Sequence, residues 1–256
     1  MVVDVTGATP MLRTRGLARE FNGFRAVDDV DLEVEAGTVH ALVGPNGAGK
    51  TTLFNLLTGF LTPTAGSIEL DGEDVTGLRP ERIAQRGVAR SFQITSLFDE
   101  LTLTEHVELA LQGRDGGGTQ FWRSARRLRR YADEAAGLLA EVGLGAHARL
   151  PAASLAYGRK RALELALALA LSPRLLLLDE PTAGMGVEDV ARTVDLIRRV
   201  RADRTVVLVE HNMKVVGDLT DRVTVLQFGR ILAEGPYDEV RNDPRVITAY
   251  LGEARA

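Results

Sequence analysis

Short, mainly apolar runs are the clearest pattern in this 256-residue chain. They occupy 39–43, 175–178 and 206–209, and each is followed at once by glycine or by charged residues. Runs of this length are typical of strands that are buried on both faces of a parallel sheet. Closer to the N terminus, apolar and acidic residues alternate from 30 to 35, within a β-rich segment at 11–43. That alternation predicts a strand with one face exposed to solvent.

Helical spacing of apolar residues follows the first of these strands and returns in the middle of the chain. Residues 94–163 are predicted to be mainly helical, with an apolar stripe over 128–142. A further helix is predicted over 162–171, and Gly229 is expected at the turn of a closing hairpin. The helix after strand 39–43 is predicted to bury Leu53, Leu56, Leu57 and Phe60.

Composition narrows the class of protein without naming it. The hydrophobic fraction of 45% and the charged fraction of 26% are ordinary for a soluble globular protein. The absence of cysteine excludes disulfides and thiolate metal sites, and the net charge of −4 does not favour nucleic acid as a partner. No apolar stretch approaches the ~20 residues of a membrane span, and residues 1–10 lack the features of a signal peptide. We therefore expect a soluble, cytoplasmic protein.

The strongest chemical motif is the glycine-rich segment 44–51, which has the spacing G-x-x-x-x-G-K-[ST] of a phosphate-binding loop. Its predicted context, a strand before it and a helix after it, is the one that this motif requires. The loop amides and the helix N terminus favour phosphate, Lys50 supplies a positive charge, and the Thr51 hydroxyl is suited to Mg²⁺. The sequence therefore predicts a nucleoside triphosphate site. Its phosphate-contacting residues are Gly44, Pro45, Asn46, Gly47, Ala48, Gly49, Lys50, Thr51 and Thr52.

Two other apolar runs end in groups that can assist phosphate chemistry. Asp179 and Glu180 follow the run 175–178, and His211 follows Glu210 at the end of the run 206–209. Ligands of open α/β sheets bind at the carboxyl ends of strands, so these side chains are expected near the phosphate loop. Asp179 is suited to orient Mg²⁺, Glu180 to polarise the attacking water, and His211 to contact a γ-phosphate.

Weaker signals admit plain structural explanations. Phe21 lies beside a turn and is either a core anchor or a surface on which adenine stacks; periodicity alone favours the core. Gln93 is an uncharged amide at a predicted strand end. The segment 155–161 contains a glycine near a predicted helix start, followed by three cationic residues that could hold an anion. The basic run 123–130 is either a solvated helix face or a surface for anionic lipid or an acidic partner.

Taken in chain order, these segments resemble the ATP-binding subunit of an ABC transporter over about 12–253. The resemblance implies a P-loop NTPase (RecA-like) core with a mostly parallel sheet, an N-terminal antiparallel β subdomain and an α-helical subdomain. The single ABC domain, 11–256, divides into a core (11–93 with 164–235), a helical subdomain (94–163) and a C-terminal tail (236–256). GTPases are disfavoured because no N-K-x-D guanine-reading motif is present.

The same resemblance implies a role for each matching residue. Glu180 is the general base and His211 the γ-phosphate switch, and ATP and Mg²⁺ are the cofactors. Residues of the segment 155–158 cap the ATP bound by a second ATP-binding subunit. Phe21 stacks on the adenine, and Val27 also belongs to the nucleotide site. The Mg²⁺ is held by Thr51, Gln93 and Asp179, and the partner's ATP is contacted by Ala156, Tyr157 and Gly158.

The ending 242–253 and the segment 228–230 are similar to the branched-chain amino-acid importer type, and urea and amide importers share much of this pattern. The implied partners are a second ATP-binding subunit, two membrane permease subunits and, indirectly, an external solute-binding protein. The resemblance favours a paralogue over a second copy and a position on the inner face of the plasma membrane. Residues from 93 to about 107 are expected to receive the permease. A soluble ABC-type ATPase acting on nucleic acid or the ribosome, and a regulatory module without turnover, are the alternatives of other classes.

Three positions depart from the wider family. Ala156 replaces the usual signature serine, which removes a hydroxyl directed at the γ-phosphate, and Tyr157 replaces a glycine. Gly186 stands where an aspartate is usual, in the loop expected to contact the partner subunit. We therefore expect weak ATPase activity from the isolated subunit.

Overall fold

The computed structural model describes residues 9–91, 97–116 and 125–253. Within these ranges the strands are β1 (Leu12–Phe21), β2 (Phe24–Val30), β3 (Glu33–Val34), β4 (Val39–Val43), β5 (Ala65–Leu70), β6 (Glu73–Asp74), β7 (Val88–Ser91), β8 (Leu175–Asp179), β9 (Thr205–Val209), β10 (Arg222–Gln227) and β11 (Arg230–Gly235). The helices are α1 (Lys50–Leu57), α2 (Pro80–Ala84), α3 (Leu103–Arg114), α4 (Ala125–Glu141), α5 (Tyr157–Ala170), α6 (Val187–Val200), α7 (Met213–Leu219), α8 (Tyr237–Arg241) and α9 (Pro244–Glu253).

A mostly parallel sheet forms the centre of the molecule, in the order β11-β10-β4-β9-β8-β7. Neighbouring strands from β10 to β7 are parallel, and β11 pairs antiparallel with β10 as the predicted hairpin. Every residue of β4, β8 and β9 is buried. Both faces of these strands are covered, which is why their sequences read as apolar runs rather than as alternations.

The two faces of the central sheet pack against different layers. Val39, Ala41 and Val43 face a cluster built largely from helices α3 to α7. Leu42 faces the opposite way, into a cluster formed with α1 and the second sheet. Since successive side chains of a strand point to opposite faces, β4 joins two cores through alternate residues.

The second sheet is antiparallel and is built near the N terminus, in the order β2-β1-β5-β6 with β3 beside β1. Val30, Leu32 and Val34 are buried and the acidic residues between them are exposed, as the alternation predicted. The strand itself is interrupted between β2 and β3. The Thr14 hydroxyl bridges this break, because it donates to the Val30 carbonyl at 2.8 Å and accepts from the Leu32 amide at 3.0 Å. The predicted fold class is confirmed.

Two helix predictions need correction. Phe60 does not belong to the buried face of α1, because the helix ends at Leu57 and Gly59 follows with φ 73°; the Phe60 side chain is 53% exposed. The helix predicted from 162 begins at Tyr157. Two residues of the segment 155–158, which we call the signature segment, therefore lie in its first turn. The apolar stripe on α4 is confirmed by burial of Tyr131, Ala135 and Leu139.

The α4 stripe packs beside α3, and α3 begins with a capping box. The Thr102 hydroxyl accepts from the Glu105 amide, and the Glu105 carboxylate accepts from the Thr102 amide at 2.8 Å. Arg114, at the end of α3, pairs with Glu134 of α4 at 2.6 Å. No helix in the described part of the chain combines the length and the apolar character of a membrane-crossing segment.

A buried histidine in β4 makes the stability of the fold sensitive to pH. The Thr224 hydroxyl donates to Glu234 at 2.8 Å, so it accepts from Nε2 of His40 at 2.7 Å. Burial lowers the pKa of His40 from 6.5 to about 4; Glu234 opposes this shift, and Arg222 adds to it. Between these two values the unfolded chain binds the proton and the folded protein does not, so stability decreases as pH falls from about 6.5 to 4.

We expect His40→Gln, which keeps an amide near Thr224 but does not titrate, to reduce this dependence. Between pH 7.5 and pH 5, the wild-type protein should lose about 2 kcal/mol more unfolding free energy than the variant. Urea unfolding at both pH values measures the difference, and contributions of carboxylates cancel between the two proteins. Equal pH dependence in the two proteins would contradict the shift.

Candidate functional site

The glycine loop between β4 and α1 lies against the backbone of both sheets. Gly44 has φ 147°, and a Cβ there would lie 2.1 Å from the carbonyl oxygen of Leu226 on β10. Gly49 has φ 104°, and a Cβ there would lie 2.3 Å from the carbonyl oxygen of Ala26 on β2. Neither position admits a side chain, and both conformations favour glycine. The path of the loop is therefore held by the parallel sheet on one side and by the antiparallel sheet on the other.

Lys50 is the first residue of α1 and folds back over the loop. Its Nζ donates to the carbonyl oxygens of Gly44 at 2.5 Å and Pro45 at 2.8 Å. The Thr51 hydroxyl follows on the exposed side of the first helical turn. A cation, a helix N terminus and a turn rich in backbone N–H groups together favour an anionic ligand.

The register of the parallel sheet brings the other predicted residues to the same edge. Leu42 on β4 aligns with Val209 on β9, and Val209 aligns with Asp179 on β8. Adjacent strands are about 4.8 Å apart, so Asp179 lies roughly 10 Å across the sheet from the strand that leads into the glycine loop. The expected convergence of strand ends is therefore present in the structure.

Asp179 is buried and has a partner that sequence reasoning missed. Arg90 on β7 donates from Nη2 to Oδ2 of Asp179 at 2.6 Å. The same guanidinium donates from Nη1 to Oδ1 of Asn55 on α1 at 2.6 Å and lies over the Phe54 ring at 5.6 Å. Arg90 thus connects the carboxylate at the end of β8 with the helix that follows the glycine loop. A cation before Ser91 is a weak signal in sequence, because it is one of many arginines.

Glu180 and His211 follow adjacent strands. Glu180 is half-buried, has φ 48°, and its amide donates to the Val209 carbonyl at 2.9 Å. Left-handed backbone at a residue other than glycine costs of order 1–3 kcal/mol and occurs both in turns and at functional sites. His211 is exposed, in the short loop before α7, where the Asn212 side chain caps the helix by accepting from two backbone amides.

Two further residues predicted to bind the nucleotide, Phe21 and Val27, lie in different environments. Phe21 is at the end of β1, 39% exposed, and the Arg19 guanidinium lies 4.7 Å from its ring centroid. Val27 on β2 is buried in the core with α1. The surface position of Phe21 leaves it accessible, contrary to the core position that periodicity favours, and its contact with adenine stays a prediction.

Ala156, Tyr157 and Gly158 form the start of α5. Ala156 is the N-cap residue and offers no side-chain cap, and Tyr157 is 45% exposed with the Arg161 guanidinium 5.5 Å from its ring centroid. A Cβ at Gly158 would lie 2.9 Å from the Asp189 carboxyl carbon on α6. Gly186 is the N-cap residue of α6 and has open space around its Cα. The signature segment is thus an accessible helix start packed against α6.

Two predicted features fall where the structure gives no description. Gln93 lies outside the described residues, so its place at the sheet edge stays a prediction. The basic run 123–130 lies partly outside them, and its side chains are not described. Within the described part of the chain, no group of three or more histidine or acidic residues could hold a metal ion. That finding is compatible with Mg²⁺ bound beside a phosphate, since Mg²⁺ commonly uses few protein ligands together with phosphate oxygens and water.

Comparisons with known proteins agree with the fold. The family model for ABC transporters matches residues 27–183, and the model for the branched-chain amino acid ATP-binding cassette transporter matches residues 230–256. The chain belongs to the ATP-binding subunits of ABC transporters. The family resemblance inferred from the motifs is confirmed.

Its relatives include transport ATP-binding proteins of similar length. The chain is 44% identical to the high-affinity branched-chain amino acid transport ATP-binding protein BraF of Pseudomonas aeruginosa, over 96% of this chain and 99% of that protein. It is 42% identical to the corresponding protein LivG of Escherichia coli K12, over the same shares. A solved ATP-binding cassette of an ABC transporter in its ADP conformation is 28% identical, with a TM-score of 0.83, covering 95% of this chain and 99% of that one.

We expect Arg90→Met to destabilise the protein by about 3–5 kcal/mol, because it leaves the buried Asp179 carboxylate without its cation. The double variant Arg90→Met/Asp179→Asn should recover much of that loss. Urea unfolding at pH 7.5 measures both variants. Arg174→Met, which breaks an exposed pair with Asp71, is the control and should cost less than about 1 kcal/mol. A loss in Arg90→Met as small as in this control would contradict the assigned interaction.

We expect Ala156→Ser to stabilise the protein by about 0.5–1 kcal/mol, because the hydroxyl can accept from a free amide in the first turn of α5. Thermal unfolding measures the effect. Ala153→Ser, three residues earlier and outside α5, is the matched control and should give no comparable gain. Equal effects of the two substitutions would show that the N-cap is not the cause.

Proposed function

We propose that this chain binds and hydrolyses ATP with Mg²⁺ and thereby powers an importer of branched-chain amino acids. The observation that carries the proposal is the single sheet edge at which the glycine loop, Asp179, Glu180 and the loop of His211 meet. The match of residues 230–256 to the branched-chain amino acid family supports the choice of solute class. So do the names of the full-length relatives.

Phosphate binding follows from the loop and the start of α1. The backbone N–H groups of 46–50 and the N-terminal end of the helix dipole favour the β- and γ-phosphates. Lys50 adds a positive charge that is already held over the loop by two carbonyl oxygens. We propose that Phe21 stacks on the adenine with its accessible ring, and that Val27, which is buried beside α1, belongs to the same nucleotide site.

The residues that would hold Mg²⁺ are the Thr51 hydroxyl, Asp179 and, by family resemblance, Gln93. A hydroxyl, a carboxylate and an amide oxygen are the hard donors that Mg²⁺ prefers. When bound, the ion neutralises charge on the phosphate oxygens. Arg90 fixes one oxygen of Asp179, which leaves the orientation of this carboxylate defined before a ligand is present.

For hydrolysis, we propose that Glu180 accepts a proton from a water molecule while the water oxygen attacks the γ-phosphorus. The bond from phosphorus to the bridging oxygen breaks, and ADP and inorganic phosphate leave. We propose that His211 contacts the γ-phosphate from the end of the neighbouring strand. Positioning and charge stabilisation are the main contributions of a protein to such a transfer.

The signature segment needs a second subunit. The exposed start of α5 is formed by Ala156, Tyr157 and Gly158. We propose that these residues cap ATP held by a partner ATP-binding subunit, and that this partner is a paralogue rather than a second copy of the chain. We further propose two membrane permease subunits, which are received by residues from 93 to about 107. An external solute-binding protein and a position on the inner face of the plasma membrane belong to the same proposal. The helical subdomain spans 94–163. The core 11–93 with 164–235 and the tail 236–256 complete the proposed subdivision.

Solute uptake in native cells carrying Lys50→Ala tests the transport role. The panel contains leucine, isoleucine, valine, urea and short amides, and we expect loss of uptake only for the three branched-chain amino acids. The same cells carrying Glu234→Gln, on the edge strand β11, serve as the control. Loss of urea or amide uptake would assign the chain to the similar amide importers. No loss for any solute, with the gene of a paralogue deleted as well, would contradict a role in uptake.

We expect Glu180→Gln to lower the rate of ATP hydrolysis by about 10²–10⁴-fold with ATP affinity unchanged, because the amide cannot accept the proton from water. Single-turnover phosphate release and binding of a fluorescent ATP analogue measure the two quantities. Glu188→Gln, in the exposed first turn of α6, is the matched control. Hydrolysis by Glu180→Gln at the wild-type rate would show that Glu180 is not the base.

A further inference from the structure

Glu210 is a buried carboxylate that neither the motifs nor the proposed reaction uses. It follows the last residue of β9 and is 1% exposed. No Lys, Arg or His side chain is among the groups that contact it in the described part of the chain. An ionised group in such a position is stable only when its hydrogen bonds are made by other donors. The donors of Glu210 therefore indicate what the residue is for.

The two carboxylate oxygens hold two different loops. Oε1 accepts from the Thr182 amide at 3.0 Å and from the Thr182 hydroxyl at 2.5 Å. Oε2 accepts from the His211 amide at 3.1 Å and the Asn212 amide at 3.3 Å. One oxygen thus serves the loop after β8, and the other serves the loop after β9.

Each of these loops carries a residue of the proposed reaction. The first contains Glu180, and Thr182 lies in the turn that follows it, in which the Ala183 amide donates to the Glu180 carbonyl at 3.1 Å. The second contains His211 between Glu210 and the cap of α7, where Asn212 Oδ1 accepts from the amides of Lys214 and Val215. Glu210 is therefore one shared anchor for the loops of the general base and the switch histidine.

We propose that Glu210 is a positioning residue that makes the Glu180 loop, 180–186, and the His211 loop, 210–213, move as one unit. This inference rests on the proposed function of Glu180 and His211. Because both loops are tied to one carboxylate, a displacement of His211 is transmitted to Thr182 and on to the turn that fixes Glu180. The base and the γ-phosphate contact are thereby held at a constant separation.

Substitutions at Glu210 should release the loops in a defined order. In Glu210→Gln, the carbonyl oxygen can serve only one loop. The amide NH₂ should face Thr182, because the Thr182 hydroxyl can also accept a hydrogen bond, whereas His211 and Asn212 offer only N–H groups. The Thr182 amide then loses its acceptor while the His211 loop keeps one. Glu210→Ala removes both acceptors.

Hydrogen exchange measured by mass spectrometry tests this order without depending on activity. In Glu210→Gln, amides of 180–186 should exchange about tenfold to a hundredfold faster than in the wild type, and those of 210–213 should not change. In Glu210→Ala, both segments should exchange faster, while amides of β8 and β9 keep their protection. Glu234→Gln, the same substitution elsewhere in the sheet, should alter neither loop. Unchanged exchange of both loops in Glu210→Ala, or equal loss of protection throughout β8 and β9, would overturn the proposal.

Thr182 supplies a conservative pair of variants. Thr182→Ser keeps the hydroxyl that bonds Oε1 of Glu210 and should hydrolyse ATP as the wild type does. Thr182→Val removes the hydroxyl at nearly constant volume and should lower the single-turnover rate. If this bond only stabilised the fold, Thr182→Val would lower thermal stability, and any loss of hydrolysis rate would be accompanied by a loss of ATP affinity. Equal rates in the two variants would contradict the role of the Thr182 hydroxyl in the anchor.

A double-mutant cycle connects the anchor with catalysis. Glu210→Ala should lower the single-turnover rate by about 10²-fold at unchanged ATP affinity, since a misplaced base is a poor base. In a Glu180→Gln background the same substitution should have little further effect, because the residue it positions is already lost. A full additional loss would show that Glu210 acts independently of Glu180. If the transport role is wrong, the uptake panel will show it. If the anchor proposal is wrong, the hydrogen-exchange experiment and the double-mutant cycle will show it.

Discussion

The hydrogen-bonded ladder of β4, β9 and β8 is the constraint on which the candidate site depends. Parallel pairing places Leu42, Val209 and Asp179 at one level, so three chain segments distant in sequence end side by side. Each strand is buried along its whole length, so the polar groups that can face a ligand are Asp179 at the carboxyl end of β8 and the residues that follow the three strands. The chemistry is concentrated at this edge because the apolar interior excludes it elsewhere.

Two buried carboxylates at this edge are stabilised in different ways. Asp179 is paired with the Arg90 guanidinium, which also binds Asn55 on the helix after the glycine loop. Glu210 is held by backbone amides and the Thr182 hydroxyl, with no cation among these contacts. A charged partner stabilises one rigid position, whereas several amides from two loops tie those loops to each other. The difference suits the roles proposed for them, a Mg²⁺ ligand for Asp179 and a loop anchor for Glu210.

The glycine loop has a similar double attachment. Gly44 approaches the backbone of β10 in the central sheet, and Gly49 approaches the backbone of β2 in the antiparallel sheet. The glycines are thus required by the protein's own packing, in addition to any requirement of a phosphate. This close approach also explains why the N-terminal sheet, which carries Phe21, has a defined position relative to Lys50.

The sequence alone determined the elements whose information is local. Apolar runs predicted β4, β8 and β9, the spacing of 44–51 predicted the phosphate loop, and the order of the motifs identified the family. The local pattern predicted two helix bounds wrongly, the end of α1 near Phe60 and the start of α5. Helix ends depend on one or two residues, such as Gly59 and Ala156, rather than on a repeated spacing. The roles of Arg90 and Glu210 were decided only by the tertiary structure. Their partners lie on other elements, Asp179 and Asn55 for Arg90 and Thr182 for Glu210. Such contacts arise from strand register, and the spacing of residues along the sequence does not reveal them.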